Sequence, residues 1–154
     1  MNENFDRASE HVWRYFELHA QQRMTVFNFF IAITSLLAAG IGYTLQQGDK
    51  YVMLTFLMGI FLSFISYIFW KLDQRVSLLI KNAEVALREI ETLLRNSNAR
   101  IITKDNDNNA LNTGLRSVWT YGKCFRMSFT IVGVTGIILA ATPLILKSLT
   151  FFPN

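Results

Sequence analysis

The sequence predicts an all-α membrane protein: three transmembrane helices, with cytoplasmic helical extensions of the first two. Three observations carry this. The apolar residues fall in three long blocks that contain no charge, at 24–46, 51–70 and 127–147 apart from Lys147 at the very end. Each block is long enough to cross a hydrocarbon layer about 30 Å thick, which takes roughly 20 residues of helix. The lysines and arginines collect in two of the four segments that the blocks separate.

A soluble protein with three fully buried helices is the competing reading. It fails on size, because 154 residues cannot build enough polar shell around three such blocks. A cleaved signal peptide also fits poorly. Residues 1–23 carry four acidic residues against three basic ones, and the apolar run that follows exceeds the roughly 7–15 residues of a signal sequence. The lone cysteine, Cys124, excludes an internal disulfide framework and any zinc site built on several thiolates.

Sidedness follows from the basic residues. Arg7, Arg14 and Arg23 precede the first block, only Lys50 lies in the turn between the first two, and ten lysines and arginines fall in 71–126. Lysine and arginine accumulate on the cytoplasmic side. The N-terminus and 71–126 are therefore expected to be cytoplasmic, and the turn near Gly48 and the C-terminus periplasmic. Trp70 at the end of the second block, and Trp119, Tyr121 and Phe125 before the third, suit the headgroup layer.

Residues 1–23 read as a cytoplasmic amphipathic helix, with Phe5, Ala8, Val12, Tyr15, Phe16 and His19 on one face. Residues 71–95 continue the second span. Leu72, Val76, Leu79, Ala83, Ala86, Ile90 and Leu93 recur in alternating steps of four and three, a heptad seam. No glycine or proline interrupts 61–95, so the helix should run on, projecting about 37 Å beyond the membrane at 1.5 Å per residue. The seam is expected to pack within the chain, against neighbouring subunits, or both. Leu72, Val76, Leu79, Ala83 and Ile90 are the candidates for assembly. Residues 96–114, rich in asparagine and aspartate, read as a polar loop, and 115–126 as a short juxtamembrane helix.

Three patterns test for chemistry. Asp105, Asp107 and Asn109 imitate the opening of a calcium loop, but Ala110 and Arg116 stand where that loop needs glycine and glutamate. Arg14 and His19, with four residues between them, have the spacing of the arginine–histidine motif of HEPN ribonucleases, in which the histidine moves a proton and the arginine stabilises phosphate charge. Tyr15 and Phe16 depart from the polar residues usual there. The third pattern is a set of polar residues at or inside the first span, among them Gln22, Arg23, Asn28, Thr34 and Ser35. Polar groups in hydrocarbon are costly unless paired or wetted. Gln22, Arg23 and Asn28 are therefore candidates for lining or gating a polar path, with hydrogen-bonding glue between helices as the alternative. No phosphate loop, metal cluster or nucleophile–base pair is evident, so no cofactor, metal, small-molecule substrate or catalytic residue is expected. Small residues along the spans, such as Gly59, Ser63, Gly133 and Gly136, allow close helix approach and point to a homo-oligomer in the lipid bilayer, most simply a closed ring.

The stretches WRYFELHAQQRMTVFNFF (13–30), RVSLLIKNAEVALREIE (75–91) and, more loosely, YGKCFRMSF (121–129) cover under a third of the chain. They resemble small bacterial membrane effectors of antiphage systems: first the retron transmembrane effectors, second the membrane accessory proteins of type VI CRISPR systems. The resemblance implies an inner-membrane protein held inactive by a partner, which compromises the membrane when phage interferes. In a retron that partner would be a reverse transcriptase with its RNA-linked DNA. Two other functions stay open: a non-toxic membrane scaffold or regulatory subunit, and a membrane-anchored HEPN-like ribonuclease.

Overall fold

The computed structural model describes residues 3–94, 97–111 and 118–151. The described elements are helical: α1 (Glu3–Gln46), a 3-10 turn (Gly48–Tyr51), α2 (Val52–Thr92), a second 3-10 turn (Ser97–Ala99), α3 (Ile101–Leu111) and α4 (Tyr121–Phe151). Three of these helices are long and apolar enough to cross a membrane, and only 17% to 22% of each apolar stretch is buried within the chain. That much outward apolar surface is stable only in lipid or against other copies. The protein is an integral membrane protein.

The helical extension expected before the first span is continuous with it: α1 runs from Glu3 to Gln46 without a break. Likewise α2 carries the second apolar block and its polar continuation as one helix. Gly48, at φ +64°, turns the chain between them, in a backbone conformation that other residues adopt only under strain.

The chain forms two compact units. The first comprises residues 1–25 and 73–124, the second residues 26–72 and 125–154. In the second unit α1 and α2 are antiparallel. Thr55 donates its hydroxyl hydrogen to Thr44 Oγ1 (2.8 Å) near one end of the pair, and Phe30 meets Phe69 (ring centroids 5.5 Å apart) near the other. Helix α4 lies parallel to α1, with Phe27 stacked on Phe125 (4.1 Å) and Phe30 edge-on to Phe129 (4.6 Å). Its contact with α2 is a close backbone crossing. A Cβ on Gly59 would lie 2.7 Å from the Ala140 nitrogen, and one on Gly136 2.8 Å from the Gly59 carbonyl oxygen. Ser63 donates to the Gly133 carbonyl (2.8 Å) across the same crossing. Close approach and hydroxyl-to-carbonyl bonds stand in for the hydrophobic effect, which lipid does not supply.

Two expectations are corrected. The loop predicted over 96–114 contains α3, and the juxtamembrane helix predicted over 115–126 begins only at Tyr121, after non-helical 118–120. Residues 96 and 112–117 of those segments lie outside the described residues. The sequence of α3, IITKDNDNNAL, has low intrinsic helix propensity. It is helical because its N-terminus is capped from another helix. Glu91 of α2 accepts hydrogen bonds from the backbone N–H groups of Ile102 (2.9 Å) and Thr103 (2.9 Å) and from the Thr103 hydroxyl (2.7 Å). These are orphan donors of a first helical turn, and a carboxylate there also meets the positive end of the helix dipole.

Candidate functional site

Among the described residues, the charged side chains that are held largely away from water lie in the first unit. Arg23 of α1 and Asp73 of α2 form a bidentate ion pair: Nε donates to Oδ1 (2.7 Å) and a terminal guanidinium nitrogen to Oδ2 (3.1 Å). Their side chains are 13% and 2% exposed, so the charges are held largely away from water. A buried pair of this kind tolerates the loss of neither partner, because the other charge is left without compensation. Gly122 in the first turn of α4 leaves room for it, since a Cβ there would come within 2.9 Å of the Arg23 guanidinium. The pair thus joins α1 and α2 beside the start of α4.

A second polar clasp joins α2 to α3. Glu91 caps α3 as described, and Arg100 returns the favour by donating to the Leu94 carbonyl (3.2 Å) and, at longer range, to that of Thr92 (3.4 Å) at the end of α2. Burial pushes the Glu91 carboxyl up, but the hydrogen bonds from Ile102, Thr103 and Ile101 outweigh it and hold the group below its ordinary value. At Glu84 burial prevails, assisted by Asp105 and opposed by Lys81, Arg88 and Arg23, and its carboxyl is raised. Next to the Glu91 clasp, Trp13, Phe16, Leu87, Ile90 and Ile102 line an apolar groove.

The sequence-predicted positions fall out unevenly. Of the lining candidates, Arg23 is committed to Asp73, and Gln22 lies within hydrogen-bond distance of His19 Nδ1 (3.0 Å). Asn28 is exposed on α1. Of the seam candidates, Val76 and Ala83 are buried within the unit, Leu79 and Ile90 are half-buried, and Leu72 is 45% exposed. The buried stripe is completed by Ile80 and Leu87. Much of the heptad seam is therefore used inside the chain. Arg14 is paired with Glu10 four residues before it (2.6 Å), and His19 meets the Tyr15 ring edge-on at 4.3 Å. Sequence reasoning missed Asp73, Glu91 and Arg100. Glu91 carries a signal in hindsight, because a carboxylate in the last turn of a helix opposes the dipole unless something else holds it. Among the described residues no group of three or more histidine, cysteine, aspartate or glutamate side chains is placed to hold a metal ion.

Comparison with known proteins adds the following. No solved structure matches the chain. A protein of Escherichia coli, CD-NTase-associated protein 19, is 71% identical over 147 residues, which span 96% of this chain and 97% of that protein. The relative's name points to a CD-NTase and not to a reverse transcriptase, so the retron part of the resemblance is not carried forward. The model of the octameric membrane protein family matches residues 7–146. With three spanning helices and a match over nearly its whole length, the chain belongs to the octameric membrane protein family.

Proposed function

We propose that this chain is the membrane effector subunit of a bacterial antiphage defence system linked to a CD-NTase. It assembles with itself into a ring of eight in the inner membrane, with its N-terminus cytoplasmic. It depolarises the membrane when a signal from that partner reaches it, and it does so without catalysis. The observation that carries the reading is the 71% identity to a relative whose name associates it with a CD-NTase. The family description, octameric, supports the count of eight, and the continuous helices support a means of transmission. Both α1 and α2 pass unbroken from polar sequence into apolar sequence, which supports a route along each helix from the polar end to the span.

The test is expression of the chain with and without its CD-NTase partner in a bacterium, followed with a potential-sensitive dye during phage infection. An effector depolarises the cells before viability falls, and only when the partner is present and triggered. A scaffold leaves the cells polarised in every condition, and that outcome would sink the proposal.

A further inference from the structure

Helix α1 presents two opposed faces within the second unit. One, with Phe30, Thr34, Ile41 and Thr44 buried, packs into the chain's own bundle. The other carries Asn28, Ala32, Ser35, Ala39 and Gln46, all exposed, with half-buried Gly42 in the same register. Their spacing alternates between four and three residues, and the same steps reach back to Thr25 and Gln21 in the sequence. At 100° per residue this line points away from the buried face, on the outside of the bundle. It is polar or small at every position. The exposed positions that flank it, Ile31 on one side and Tyr43, Leu36 and Phe29 on the other, are large, and Leu36 is 76% exposed. A single copy in lipid would turn asparagine, serine and glutamine toward hydrocarbon, which is costly unless they meet water or a partner.

From this we infer that the line Asn28–Ala32–Ser35–Ala39–Gln46 faces the axis of the assembled ring and lines a water-filled path through the membrane, while the large apolar positions beside it meet neighbouring copies and lipid. On the axial face, geometry decides between water and a direct seam across the axis. Eight helices packed side by side at about 9 Å have their axes on a circle of about 12 Å radius. Subtracting a helix radius of about 5 Å leaves an opening about 6 Å or more in radius, too wide for facing helices to close. Side chains on the axial face of such a ring are wetted. Small residues keep the opening wide, and Asn28, Ser35 and Gln46 offer hydrogen bonds to the water that fills it. The inference rests on the ring assembly proposed above and adds the helix face that lines it.

Cysteine accessibility tests it in the full chain. In a Cys124→Ser background, the variants Asn28→Cys, Ser35→Cys and Ala39→Cys are compared with Phe29→Cys, Leu36→Cys and Tyr43→Cys, in vesicles, using a sulfonated maleimide that does not cross lipid. The line should label about tenfold faster or more, because the reactive thiolate forms only where water reaches the sulfur. Subunit number by crosslinking and vesicle potential are recorded on the same samples. Equal labelling of the two sets, or faster labelling of the large apolar set, overturns the lining. If the vesicles still depolarise in that case, the effector reading stands and only the lining face is wrong. A labelled line in vesicles that hold their potential under the partner's signal keeps the lining and removes the effector reading. An Asn28→Leu/Ser35→Leu double variant gives an independent check: it should lose ion flux with the oligomer intact, and undiminished flux overturns the inference.

Discussion

Each of the two units has its own kind of internal packing. The unit of residues 26–72 and 125–154 relies on surface complementarity: aromatic rings packed around Phe27 and Phe30, a glycine crossing at Gly59 and Gly136, and hydroxyls that satisfy one another or a carbonyl. The unit of residues 1–25 and 73–124 combines an apolar stripe along α2 with charged clasps, Arg23–Asp73 and Glu91 with the start of α3. The difference follows from the medium. In lipid, burying apolar surface gains little, so close backbone approach and polar glue decide the packing. Outside it, apolar burial drives association and charges set register and direction.

The largest expected effect is on the ion pair. Asp73→Ala strands the Arg23 guanidinium in a site it was built to leave only as a pair, at a cost of about 3 kcal/mol or more. Replacing both partners, Arg23→Met with Asp73→Leu, should cost clearly less than Asp73→Ala alone, because no unpaired charge remains. Thermal unfolding in detergent of the wild type, Asp73→Ala and the double variant measures this. If the double variant is as unstable as the single, the pair supplies shape rather than charge balance, and the contrast between the units weakens.

The glycine crossing gives the next effect and sharpens the comparison from the other side. Gly59→Ala places a methyl group 2.7 Å from a backbone nitrogen and 2.9 Å from a Cα, atoms that cannot swing aside, and α2 and α4 must separate. A loss of about 2 kcal/mol is expected. Gly133→Ala meets only the Ser66 side chain, its Cβ at 3.4 Å and its Oγ at 4.0 Å, and should cost much less. Equal losses, measured by the same unfolding, would mean that helix propensity rather than close approach governs the site.

How much of this was legible in the sequence depends on the range of the interaction. The three spans and the unbroken helices rest on local pattern, on charge-free blocks and on the absence of glycine and proline from 61–95, and the structure shows long helices there. The heptad seam was visible as a periodicity, but which neighbour it meets is a matter of tertiary structure, and Val76, Ala83 and Leu87 turn out to be buried within the chain. Asp73 was invisible as a partner because fifty residues separate it from Arg23 and nothing in spacing links them. Helix α3 was missed for a related reason. Its own residues favour a loop, and the group that overrides them sits on another helix.

That override yields the smallest effect and the one with a pH signature. Glu91→Gln keeps one acceptor oxygen but removes the charge that two N–H groups and a hydroxyl share, and should cost about 1 kcal/mol. Burial raises the Glu91 carboxyl and the hydrogen bonds lower it further, so its value in the folded chain lies below the ordinary 4.5. A depressed folded value stabilises the fold fully above 4.5, and the contribution is lost as pH falls through the folded value. Glu84 has the opposite sign. Its raised value means that the folded state takes up the proton first, so its contribution is present below 4.5 and fades as pH rises through the folded value. On acidification Glu84 therefore eases the fold before Glu91 releases α3. Hydrogen exchange at the Ile102 and Thr103 amides separates the two, since only Glu91 holds those protons. The wild type should protect them better than Glu91→Gln at neutral pH, and the difference should close once the pH falls below the depressed value. A difference that survives there would show that the amide of glutamine fails for reasons of shape, and that the charge on Glu91 is not what holds α3 in place.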